Sequence, residues 1–146
     1  TNGCGNFDNP GTCGAGGNND VWGTFTIGSA HNLTIRHNST NRNMTVHLFT
    51  LAGACANPAN YTEVSCSNAN GGTGNENLVA AALPAGTYYV RAQAIGANGL
   101  GGAGFCVFGA PVGGAEHVIG DGNITDCTGD IFDTGGSASD YFQMKT

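Results

Sequence analysis

Between Val21 and Phe108 the chain is written in short runs of β-branched and aromatic residues, each halted by glycine or asparagine. That punctuation limits the fold more than any other feature. An amphipathic helix needs apolar residues three or four apart over a long stretch, whereas alternation over four to eight residues belongs to a half-buried strand. Val21-Trp22-Gly23-Thr24-Phe25-Thr26-Ile27 is one such run. Leu33 and Ile35 then alternate with Thr34 and Arg36, and Met44, Val46 and Leu48 alternate with Thr45 and His47. Tyr61 to Cys66 forms a shorter strand. Leu78 to Leu83 contains three alanines, yet Asn and Gly precede it and Pro84-Ala85-Gly86 stops it, so it also reads as a strand. Thr87 to Ala92 is the clearest strand, and Phe105 to Phe108 is another. Short strands at this spacing predict an all-β fold, an antiparallel β-sandwich or jelly roll.

The turn at Asn38–Asn43 suggests a hairpin centred between Thr40 and Asn41. It sets Leu33 opposite Leu48 and Ile35 opposite Val46, with the apolar side chains on one face. Asn32, Asn38, Asn43 and His47 then point outward, His47 beside Thr34. Trp22 has the opposite parity to Val21, Phe25 and Ile27, which leaves two readings: a core tryptophan, or one outside the core stripe that serves an interface or sugar stacking.

Composition narrows the setting. Only 10% of residues are charged, 26 are glycine and the net charge is −6. A nucleic-acid binder needs a basic stripe to displace counterions from phosphates, and a polybasic membrane-surface protein needs the same excess. No apolar run approaches the ~20 residues of a membrane helix. Neither an initiator Met nor a signal-peptide core stands at the start, so Thr1 reads as a mature N-terminus or a chosen boundary. Six cysteines (Cys4, Cys13, Cys55, Cys66, Cys106, Cys127) without a C-x-x-C spacing indicate an oxidised, secreted chain, extracellular or at the cell surface.

Asp20-Val21-Trp22 with Phe25-Thr26 resembles the D-V-W-x-x-F-T opening of bacterial pre-peptidase C-terminal-type domains. The apolar strand Val46–Phe49, Cys55 and Cys66 around a loop, and Leu83-Pro84-Ala85-Gly86-Thr87-Tyr88-Tyr89-Val90-Arg91 follow in that family's order, and Gly104-Phe105-Cys106-Val107 is similar to its closing strand. The resemblance covers about residues 13–110 and implies a non-catalytic β-sandwich module of a secreted protein. Further on, Cys127-Thr128-Gly129, Asp133-Thr134-Gly135-Gly136 and Tyr141 resemble the opening of CUB-like domains, of which about 20 residues are present. Six cysteines allow 15 pairings. Nearest neighbours, Cys4–Cys13, Cys55–Cys66 and Cys106–Cys127, are the expected set; the resemblance supports the second.

Little chemistry is visible. No G-x-S-x-G surrounds Ser29, Ser137 or Ser139, and Gly28-Ser29-Ala30-His31 lacks an orienting acid. Glu116-His117 is not H-E-x-x-H. His31, His37 and His47 lie near the expected hairpin but lack ligand spacing. Five of the ten acidic residues, Asp121, Asp126, Asp130, Asp133 and Asp140, fall in the last 26 positions. Asp121 to Asp126 offers alternating oxygens suited to Ca²⁺ but no distal glutamate, and turn-forming residues are the plainer account of it. No cofactor and no enzyme activity are expected, since no nucleophile, base and orienting group assemble from the sequence. Five sequons begin at Asn32, Asn38, Asn43, Asn60 and Asn123, roughly twice the chance number, and mark glycosylation sites.

The resulting expectation divides the chain into an N-terminal disulfide loop (1–19), a β-sandwich (20–116) and a C-terminal β extension (117–146). The extension carries too few strands to enclose a core. A structural subunit that assembles with copies of itself, head to tail by strand exchange, into a glycosylated surface filament accounts for it. The alternative is an accessory targeting or adhesion domain of a secreted hydrolase, with glycans as possible partners.

Overall fold

The computed structural model describes residues 11–14, 20–39, 43–55, 57–71, 75–95, 102–115, 117–121, 132–133 and 140–143. Ten strands are described: β1 (Asp20–Ile27), β2 (His31–Ser39), β3 (Met44–Leu51), β4 (Tyr61–Ser67), β5 (Glu76–Leu83), β6 (Gly86–Ala94), β7 (Gly102–Pro111), β8 (His117–Asp121), β9 (Phe132–Asp133) and β10 (Asp140–Gln143). One 3₁₀ turn at Pro58–Asn60 precedes β4, its N-cap Asn57 accepting from the Ala59 N–H. The first sheet runs β10-β1-β6-β3-β4 and the second β5-β2-β7-β8, with β9 pairing β7. All described pairings are antiparallel except β10 on β1. The all-β sandwich expected from the alternation is present.

β1, β2, β3, β5, β6 and β7 place apolar residues between the sheets. Val21, Phe25 and Ile27 of β1, Leu33 and Ile35 of β2, Met44, Val46 and Leu48 of β3, Leu78 and Ala80 of β5, and Tyr88, Val90 and Ala92 of β6 form one buried cluster with Val107. Burying such side chains removes roughly 1.5–3 kcal/mol of apolar exposure each, which explains why the strand runs were readable.

The expected hairpin is not. β2 pairs with β5 and β7 in the second sheet, and β3 pairs with β4 and β6 in the first. Leu33 and Leu48 belong to the same core, but they reach it from opposite sheets. Parity tells which residues face the core; it does not tell which layer a strand joins.

The cystine pattern also differs. Cys13 is bonded to Cys66, with Cα atoms 5.9 Å apart. That excludes both Cys4–Cys13 and Cys55–Cys66. Cys55 and Cys106 are disulfide-bonded as well, to partners outside the described residues, where Cys4, Cys127 and the expected Cys106–Cys127 link lie. β8, within the segment read as the extension, pairs with β7 in the sandwich.

Candidate functional site

The first sheet has a second buried layer on the face turned away from the sandwich core. The side chains that alternate with the core residues of β1, β6 and β3 line up there in register: Asp20 with Gln93 and Thr45, then Trp22 with Arg91, His47 and Cys66. Asp20, Trp22, Arg91 and His47 are fully buried, and Thr45 and Gln93 nearly so. Trp22 packs on Phe49 and Tyr61 with ring centroids 5.5 and 5.0 Å apart. The tryptophan therefore lies outside the core stripe, as its parity suggested, but it is enclosed rather than offered to a sugar.

Part of the cover is the segment 11–14. The Cys13–Cys66 bond ties it to β4, and Glu63 Oε2 accepts from the Thr12 N–H at 2.6 Å while Oε1 accepts from the Thr12 hydroxyl at 3.1 Å. A Cβ at Gly11 would collide with the His47 ring, so glycine is what allows the segment to lie flat there.

Two polar groupings sit beneath this cover. In one, Arg91 Nε donates to Asp20 Oδ2 at 2.6 Å and Trp22 Nε1 donates to the same oxygen at 3.1 Å. Burial pushes the Arg91 guanidinium below its usual value and Asp20 pulls it back. In the other, His47 Nε2 lies 3.0 Å from Thr45 Oγ1, while His47 Nδ1 lies 3.5 Å from Glu63 Oε1 without a hydrogen bond between them. A proton on Nδ1 faces the Glu63 carboxylate and leaves Nε2 as an acceptor beside the Thr45 hydroxyl, whose proton can turn either to that nitrogen or to the Gln93 backbone carbonyl 3.4 Å away. Burial, then the neighbouring Arg91, push His47 below its ordinary pKa, with Glu63 opposing them. The imidazole is a neutral base near pH 7.

A hydroxyl, a neutral imidazole and a carboxylate in that order make up the relay that activates an oxygen nucleophile. The sequence reading assembled no such set and placed His47 outward beside Thr34; the structure buries it between Arg91 and Cys66. The legible signal was Thr45-Val46-His47, two polar residues two apart on a strand and hence on one face. Glu63 comes from another strand, and only the sheet pairing brings it near.

The other histidines are dispersed. His37 lies in the second sheet, fully buried, opposite Glu76. His31 Nδ1 lies 2.8 Å from the Ser29 carbonyl, the bond of a local turn. Among the described residues no cluster of metal-ligating side chains includes any of the three. Cys13, Cys66 and Glu63 lie within 4.8 Å of one another, but the two sulfurs are bonded together and offer no thiolate.

Asn32 is exposed on the outer face of the second sheet, its Oδ1 accepting from the Ala82 N–H at 2.9 Å. Asn43 precedes β3 in the first sheet and is half-buried, its Oδ1 withdrawn from solvent. The two do not share a face, contrary to the hairpin expectation. Asn60 uses its Nδ2, the glycan-accepting atom, to donate to the Ala54 carbonyl at 2.8 Å. The side chain of Asn38 and all of Asn123 lie outside the described residues, as do 122–126 of the calcium-like stretch.

At the sheet edge, β10 joins β1 in parallel, with Val21 opposite Asp140, Trp22 opposite Tyr141, Gly23 opposite Phe142 and Thr24 opposite Gln143. No family model, no curated protein and no solved structure matches this chain.

Proposed function

We propose that this chain is an extracellular structural subunit, not an enzyme acting on external substrates, that assembles head to tail by strand exchange into a glycosylated surface filament or appendage. The observation that carries the reading is the parallel seat of β10 on the edge strand β1. Four register pairs give such a strand little hold of its own, and the sequence before it, Thr-Gly-Gly-Ser-Ala-Ser at 134–139, has a Gly/Ser-rich composition. The ladder is the same whether the strand comes from its own chain or from a second copy. Exchange therefore costs little, and a contact that does not close on itself propagates. Low charge permits close packing of copies, and the exposed Asn32 leaves a glycan room to project. Burial of Thr45 and His47 under residues 11–14 fits a chain without an external substrate.

The test is a truncation lacking residues 134–146, which keeps all six cysteines. The intact chain forms concentration-dependent oligomers or filaments by light scattering and electron microscopy; the truncated chain remains a folded monomer. An intact chain that stays monomeric at high concentration overturns this reading and leaves the accessory domain of a secreted hydrolase in its place.

A further inference from the structure

We propose that the buried relay forms an intramolecular ester between the Thr45 hydroxyl and the Gln93 carboxamide, cross-linking β3 to β6. The inference does not depend on the assembly reading. Thr45 and Gln93 are direct register partners on neighbouring antiparallel strands, and both project to the outer face of the first sheet. Side chains so placed have Cβ atoms about 4.5–5.5 Å apart. The Thr45 Oγ1 also lies 3.4 Å from the Gln93 backbone carbonyl, so the hydroxyl already sits over residue 93. Gln93 offers a carboxamide as electrophile; Thr45, His47 and Glu63 offer a nucleophile, a base and an orienting acid.

The step balances without a co-reactant. His47 Nε2 takes the Thr45 proton as Oγ1 attacks Gln93 Cδ, and Glu63 stabilises the imidazolium that forms. The tetrahedral centre then collapses: the Cδ–Nε2 bond of Gln93 breaks, His47 returns the proton to the departing nitrogen, and ammonia leaves. The Oγ1–Cδ ester bond remains, and no electron changes hands. An amide is ordinarily the more stable partner, but two groups held side by side on paired strands react with a high effective molarity once they meet. Loss of ammonia from the site draws the reaction forward. The same burial that denies an external substrate also withholds the water that would hydrolyse the ester.

The four basic residues, Arg36, Arg42, Arg91 and Lys145, make the test direct. Trypsin separates Thr45, in peptide 43–91, from Gln93, in peptide 92–145. The folded chain, reduced and alkylated near neutral pH, is expected to be lighter than its sequence by one ammonia. It is expected to yield those two peptides as a single species that mild alkali opens. Thr45→Val abolishes the species and Thr45→Ser retains it. His47→Gln slows its formation on the order of 10²-fold or more; if that variant does not fold, the Thr45 pair decides. Separate linear peptides from the folded wild-type chain overturn the proposal. So does an ammonia loss confined to the Asn-Gly pairs, such as Asn70-Gly71, or a cross-link that survives in Thr45→Val.

Discussion

At the scale of single residues, the buried charges carry the largest consequences. Asp20 and Arg91 are both completely enclosed. Removing one partner leaves the other charge buried and uncompensated, which costs about 3–5 kcal/mol. Arg91→Met is expected to lower the urea midpoint sharply, whereas a simultaneous Asp20→Leu and Arg91→Met change recovers much of the loss. His37 answers to pH. Burial brings its pKa down to about 4 from 6.5, with Glu76 opposing. The folded state thus refuses a proton that the unfolded state accepts. Its contribution is complete above pH 6.5 and is lost as pH falls from 6.5 towards 4, to the extent of about 3 kcal/mol. His47 adds a loss of the same sign. Urea midpoints measured from pH 7.5 to 4 are expected to fall less steeply in His37→Gln than in the parent chain. Asn32 is exposed and bonds to the backbone through its Oδ1, which leaves its Nδ2 clear for a glycan. Asn60 spends its Nδ2 on Ala54. Glycopeptide mapping of natively produced protein is expected to find Asn32 occupied and Asn60 bare.

At the scale of elements, the N-terminal segment and the β5 edge are the informative parts. The Cys13–Cys66 bond closes a separation of 53 residues. In the chain-entropy description a loop of that size is worth about 4 kcal/mol. Replacing both cysteines with serine is expected to lower the unfolding free energy by up to that amount and to release segment 11–14 from His47, which hydrogen exchange at Thr12 would register. On the other edge, Ala82 holds φ at 51°, a left-handed conformation that a side chain resists. It is kept there by the turn into β6 and by the Asn32 side chain, which accepts from its N–H at the bulge in β2. Ala82→Gly is expected to raise stability by about 1 kcal/mol, read as a higher thermal midpoint.

At the scale of the whole molecule, what alternation made legible was the set of strands and their inward faces. Val21, Phe25, Ile27, Leu33, Ile35, Val46 and Leu48 all reach the core. A side-chain period of two is a local property of the backbone and survives in any sheet. Oxidised cysteines were legible for a similar reason, since composition reports the redox setting. Three things were decided only by tertiary structure. β2 and β3 part into different sheets, because a strand satisfies the same inward pattern from either side of a sandwich. Cys13 meets Cys66 because residues 11–14 cross the outer face of the first sheet, a path that no spacing encodes. Thr45 and His47 share a face by local geometry, but Glu63 and Gln93 join them through the pairing of β3 with β4 and β6. The sequence by itself determined which residues each strand buries, since that follows from neighbours two apart. The tertiary structure decided which strands lie side by side, and a relay drawn from several strands exists only once that choice is made.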